Sequence, residues 1–121
     1  MNSRFVSNMY AALACVLGAI SLLHMATTFW LRTATPFTRV WFFGAGIAMA
    51  EGAALNLLHR VHGRSAPGLR WTTRAFNIIM LAFATVAGSV TGASALEFII
   101  LLGILSVILL LSFASAAYKI P

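Results

Sequence analysis

Four apolar stretches, residues 9–31, 39–59, 74–90 and 95–118, take up most of the 121-residue chain. A hydrocarbon core of ~30 Å is crossed by about 20 residues of helix, so each stretch is near or above spanning length. In lipid the backbone must satisfy its own N–H and C=O groups, which leaves helices or a closed barrel as spanning forms. Continuous apolar runs without strict alternation select helices. The expected fold is therefore all-α, an integral membrane four-helix bundle forming a single domain. A mean hydropathy of +0.96 and a charged content of only 8% agree with this. The first run is far longer than the apolar core of a signal peptide and ends in no small-residue cleavage site, so it is expected to be retained as a span.

The connections carry the punctuation. Residues 32–39 hold Pro36 and three threonines, which are turn material. Residues 60–73, with His62, Gly63, Ser65, Pro67 and Gly68, form the polar connection, the one place with room for a short interfacial segment. Residues 89–94 make a tight turn around Gly92, and Ser94 stands three residues before Glu97, the spacing of a capping box.

Orientation follows from the cations. Arg4, Arg60, Arg64, Arg70, Arg74 and Lys119 fall on one side and Arg32 and Arg39 on the other, six against two. Lys and Arg flanking a span resist translocation, so both termini are expected to be cytoplasmic. Phe29, Trp30 and Trp41 then mark the outer interface, and Tyr10, Trp71 and Tyr118 the inner one. The net charge of +6 reflects these flanks and their contact with anionic headgroups. No basic patch interleaves with aromatics, so nucleic acid is not an expected partner. A bacterial inner membrane is the simplest location. Cys15 lies within the first run, has no second cysteine to pair with, and reads as a packing residue. No repeat relates the two hairpins.

Glu51 is one of only two acidic residues, and it stands near the middle of the second run. A charged group there costs on the order of 3 kcal/mol, so such residues usually face protein or water. Gly44, Ala48 and Gly52 recur at intervals of four, a small-residue stripe suited to helix packing. At 100° per residue Glu51 lies about 20° round from Gly44, Gly52 about 80° and His59 about 60°. Glu51 is therefore expected to point toward protein. Asn56, at about 120°, is expected to face another neighbour. The fourth run is apolar all round and is expected to be the most lipid-exposed helix. Ala11, Ala14, Gly18 and Ser21 of the first run, with Ala82, Ala84, Thr85 and Gly88 of the third, suit close contacts with the second.

The candidate ligand- or proton-binding residues are Glu51, His24, Asn56, Asn77 and Glu97. By depth, His24 and Glu97 can approach one another toward the outer side. Asn77 is level with Asn56 and His59, forming an inner polar layer. Glu97 reads also as a helix cap, and His59 and His62, beside Arg60 and Arg64, as interfacial. Facing imidazoles ligate haem in b-type cytochromes. Here only His24 and His59 fall in spans, near opposite membrane faces, so no cofactor is expected; a haem with methionine or water as second ligand is the minor alternative. No metal site is expected, since His59 and His62 are the nearest approach to ligand spacing and flank a basic loop. With no nucleophile elbow, P-loop, dinucleotide glycine pattern or HExxH, the chain is not expected to be an enzyme.

Two readings follow. Short loops, no soluble domain and small-residue packing surfaces fit a non-catalytic subunit, or a lipid- or hydrophobic-ligand-binding module, of a membrane assembly formed with other subunits or with itself. The alternative is a homodimeric proton-coupled transporter of small molecules using Glu51. In size and span count the chain is similar to the small multidrug-resistance transporters, which have four short helices and one essential membrane glutamate. Their glutamate is in the first helix and Glu51 in the second, so that resemblance extends to the fold alone.

Overall fold

The computed structural model describes residues 2–30, 34–92 and 94–118. They form α1 (Ser3–Thr27), α2 (Pro36–His62), α3 (Pro67–Thr91) and α4 (Ala95–Phe113), followed by one 3-10 turn, Ser115–Ala117. All four α-helices are long and apolar enough to cross a membrane.

The helix ends differ from the expected spans for local reasons. Asn2 starts α1 well before residue 9, its Oδ1 accepting the Arg4 N–H at 3.0 Å. Thr35 caps α2 by accepting from the Thr38 N–H at 3.2 Å, and Pro36 is the first helical residue rather than part of a turn. Pro67 likewise opens α3 seven residues before position 74. Proline at the first helical position gives up no intrahelical hydrogen bond and presets φ. Most of the expected polar connection is therefore helix, and residues 63–66 alone join α2 to α3. Gly92 ends α3 in the left-handed conformation, φ 69°, a standard helix stop. Ser94 caps α4 as expected, accepting from the Glu97 N–H at 3.3 Å, while its hydroxyl donates to Glu97 Oε2 at 2.7 Å. α4 stops at Phe113 rather than 118, because Ala114 turns to extended backbone.

Helix α1 packs most extensively on α2, and α3 on α4; the α2–α3 contact joins the two hairpins, and α1 closes more lightly on α4 and the 3-10 turn. Buried positions recur at intervals of three and four: Tyr10, Ala14, Leu17 and Ser21 on α1; Gly46, Met49, Ala53 and Asn56 on α2; Thr73, Asn77, Met80 and Ala84 on α3. That spacing is the seam of an aligned bundle. Glycines set the approach distances. A Cβ on Gly46 would meet the Ser21 carbonyl oxygen at 3.2 Å and the Met25 nitrogen at 3.3 Å. Phe76 of α3 lies on Gly52, whose added Cβ would stand 2.8 Å from the ring, and Phe98 of α4 lies against Gly88.

The stripe Gly44, Ala48, Gly52 is therefore not one packing surface. Gly52 meets α3, Ala48 flanks the core half-buried, and a Cβ on Gly44 would have nothing within 4 Å. α2 carries small residues on more than one face, and α1 chose Gly46 and Ala53. α4 is also no more exposed than its neighbours, burying the same share of its apolar stretch as α1 and α3. Its inward row is Leu105, Ile108, Leu111 and Ser112.

Candidate functional site

Glu51 faces outward. It is exposed, on the same face as Val40, Gly44, Ile47, Ala54 and Leu58, all exposed as well. It stands about 22 Å along α2 from Pro36 and about 16 Å before His62, at 1.5 Å per residue. Among the described residues it makes no hydrogen bond or ion pair. The chain's own bundle is therefore not the protein that Glu51 was expected to face. Gly44 was the reference for that expectation, and Gly44 itself faces out; the packed residues Met49 and Ala53 lie about 140° and 180° round the helix from it.

Asn56, Asn77 and His59 do come together, around a residue the sequence pattern had placed at the interface. Tyr10 is fully buried, and its hydroxyl lies 2.6 Å from Asn56 Oδ1 and 3.0 Å from His59 Nδ1. Asn56 and Asn77 exchange two amide hydrogen bonds, each 2.9 Å, and Asn56 Nδ2 also donates to the Gly52 carbonyl at 2.6 Å. Asn56 therefore uses both donors and both acceptor positions, and faces α1 and α3 at once. With the Tyr10 proton given to Asn56, His59 donates its Nδ1–H to Tyr10, and its buried Nε2 has no partner. Tyr118, also buried, packs its ring 5.2 Å from that of His59. His59 and the two tyrosines are thus core groups rather than interfacial ones. The signal for Tyr10 was its place in the row Tyr10, Ala14, Leu17, Ser21, which carries the core face of α1 into this layer.

Two arginines brace the same end. Arg60 Nε donates to the Ser7 carbonyl at 2.9 Å and to Ser7 Oγ at 3.0 Å, and its Nη2 to Asn8 Oδ1 at 3.1 Å, tying α2 to α1. Arg74 Nε donates to the Ser112 carbonyl at 3.0 Å, with its guanidinium 4.5 Å above the Phe113 ring and 5.3 Å from Trp71, tying α3 to α4. Away from this end the interior is mostly apolar, filled by Leu17, Met49, Ala53, Met80, Ala84 and Leu105, with Ser21, whose buried Oγ has no partner, and Thr28, bonded to the His24 carbonyl, as buried polar residues. Phe29, Trp30 and Trp41 at the opposite end, and Trp71 at this one, are exposed as membrane-interface aromatics would be.

His24 and Glu97 approach closely enough for the carboxylate to act on the ring electrostatically, as expected, but they share no hydrogen bond or ion pair. The His24 ring stacks on Phe42, centroids 3.5 Å apart, and the Glu97 carboxylate is taken by Ser94. His24 and His59 lie toward opposite ends of the α1–α2 pair, as their partners Phe42 and Tyr10 show, so they cannot ligate one iron. Among the described residues no three His, Cys, Asp or Glu side chains gather as metal ligands. His62 and Cys15 are exposed. Arg32 and Lys119 lie outside the described residues.

What these features define is a bundle of four helices, each long and apolar enough to cross a membrane, with a braced polar layer at one end and an outward carboxyl near the middle of α2. No protein-family model, curated protein or solved structure matches the chain.

Proposed function

We propose that the protein is a non-catalytic membrane subunit that works within an assembly and docks through the outward face of α2. One observation carries this: Glu51 is exposed midway along a membrane-spanning helix with no partner among the described residues. A carboxyl facing hydrocarbon costs on the order of 3 kcal/mol, a penalty that a polar neighbour from another subunit relieves. A lipid acyl chain offers no such group, so the partner is a protein rather than a hydrophobic ligand. The polar layer around Asn56 is satisfied within the chain apart from one imidazole nitrogen and reads as a brace for the bundle. The arginine-rich end belongs in the cytoplasm by the positive-inside rule, and the bacterial inner membrane is the natural setting. Native mass spectrometry of gently solubilised wild-type protein tests the reading. A complex of defined composition supports it, and a bare monomer under every mild condition overturns it.

A second reading, proton-coupled transport by a homodimer, draws on the same carboxyl. The mostly apolar interior of one chain would put any pathway between copies. Reconstituted vesicles separate the readings: pH-driven flux of tetraphenylphosphonium, abolished by Glu51→Gln with assembly intact, selects transport.

A further inference from the structure

We infer that the arginine-rich end of the α1–α2 groove is a binding site for the phosphate of an anionic membrane lipid, formed by Arg4, Arg60 and Arg64. It lies on another side of α2 from Glu51 and is independent of the docking face proposed above. Arg60 is held against α1: its Nε donates to the Ser7 carbonyl and hydroxyl, and its Nη2 to Asn8 Oδ1 at 3.1 Å. At 100° per residue Arg4 falls in angle between Ser7 and Asn8, about 6 Å further out along α1 than Asn8. Gly63 keeps helical dihedrals, φ −61° and ψ −22°, so Arg64 follows Arg60 by one turn on α2. Two neighbouring helices thus bring three arginines to the mouth of one groove.

Nothing in the chain neutralises them. Arg4 and Arg64 are exposed, and neither side chain makes a hydrogen bond or ion pair among the described residues; the Arg64 guanidinium rests 5.6 Å from the Tyr118 ring centroid. Arg60 leaves its Nη1 unused. Of the two acidic residues, Glu51 lies near the middle of α2 and Glu97 begins α4 at the opposite end of the bundle. Three neighbouring like charges repel, and an oxyanion among them turns that repulsion into attraction. A guanidinium fork matches paired phosphate oxygens with charge-assisted hydrogen bonds. The α3–α4 side of the same end is not equivalent. It offers Arg70 and Arg74 only, and the Arg74 guanidinium is bonded to Ser112 and lies against Phe113 and Trp71.

The surroundings select a lipid phosphate over a free one. One turn deeper the groove is apolar, with Ala12 exposed on α1 four residues after Asn8, and Leu57 half-buried on α2 three before Arg60. Phe5 and Val61, both exposed, flank the arginines on the two helices. An amphiphile sets its anionic head among the guanidiniums and lays an acyl chain along this wall, whereas a free phosphate uses only the first half. Both helices are long and apolar enough to span, so the mouth of the groove falls at headgroup level, where basic pockets between helices hold anionic lipids.

The test is native mass spectrometry of the delipidated protein titrated with phosphatidylglycerol, phosphatidylcholine or inorganic phosphate. Phosphatidylglycerol is expected to bind in preference to phosphatidylcholine. Arg4→Gln combined with Arg64→Gln weakens that binding roughly tenfold, while Arg70→Gln, at the same end but off the groove, changes it by less than about twofold. Arg4→Lys with Arg64→Lys keeps the charge but loses the fork, and binding falls by about threefold. Should the double glutamine variant lose helical content, the two single variants carry the comparison, at about threefold each. Equal binding of the two lipids overturns the site, as does a loss in Arg70→Gln as large as in the double variant, which would mark a diffuse surface charge. Inorganic phosphate that binds as tightly as phosphatidylglycerol also overturns it, since the apolar wall would then contribute nothing.

Discussion

Asn56 and Asn77 are bonded amide to amide, each Nδ2 donating to the other's Oδ1 at 2.9 Å, and this reciprocal pair locks α2 to α3 in register. Both residues are buried, so a one-residue slip would strand four hydrogen-bonding groups in the core. Asn77→Leu leaves Asn56 with one donor and one acceptor unmet, at a cost of about 1–2 kcal/mol. Combined with Asn56→Leu, the cost falls below the sum of the singles by about 0.5–1.5 kcal/mol. Unfolding of the reconstituted protein by titration with dodecyl sulfate measures this cycle; strict additivity would show that the pair is not coupled.

Tyr10→Phe removes the hydroxyl shared by Asn56 and His59 and leaves His59 with no hydrogen bond at either ring nitrogen. The expected loss is about 1–2 kcal/mol in the same assay. Tyr118→Phe is the control. Its ring packs on His59 but its hydroxyl makes no hydrogen bond among the described residues, so stability moves by less than about 0.5 kcal/mol.

Gly46 and Gly44 are two residues apart and predict opposite outcomes. A leucine at Gly46 pushes into the Ser21–Met25 backbone of α1 and costs about 1–3 kcal/mol through overpacking. A leucine at Gly44 meets nothing within the chain and leaves its folding intact. If a partner subunit docks on this face of α2, Gly44→Leu instead weakens the complex, read as a shift toward monomer mass.

Ser94→Ala deletes the cap of α4, at a cost of about 1 kcal/mol concentrated in its first turn. Hydrogen exchange checks this: the amides of Glu97 and Phe98 exchange faster, while those around Ile108 hold their protection.

Much of the architecture was legible before any coordinates. Apolar runs of spanning length can only be helices, the Ser94–Glu97 spacing marked the start of α4, and Gly92 marked the turn before it. The polar layer was partly legible too, since Asn56, His59 and Asn77 fall at matching depths. Tyr10 was missed because aromatic residues near a span end are ordinarily interfacial, and its burial follows from the 3-10 turn and Tyr118 closing over that end of α1 and α2. The early start of α3 was missed because a polar, proline-bearing segment reads as a loop, yet Pro67 suits a first helical turn.

Composition and run length dictate a bundle of four helices, because unpaired backbone polar groups are intolerable in lipid whatever the side chains do. The rotation of each helix about its own axis is another matter. α2 offers small residues around much of its circumference, and the mutual fit of Gly46 with Ser21, Gly18 with Ala53 and Phe76 with Gly52 selects one setting among several. That setting turns Asn56 inward to Asn77 and leaves Glu51 outward and unpartnered, since contacts between helices, rather than periodicity along one of them, determine which face is buried.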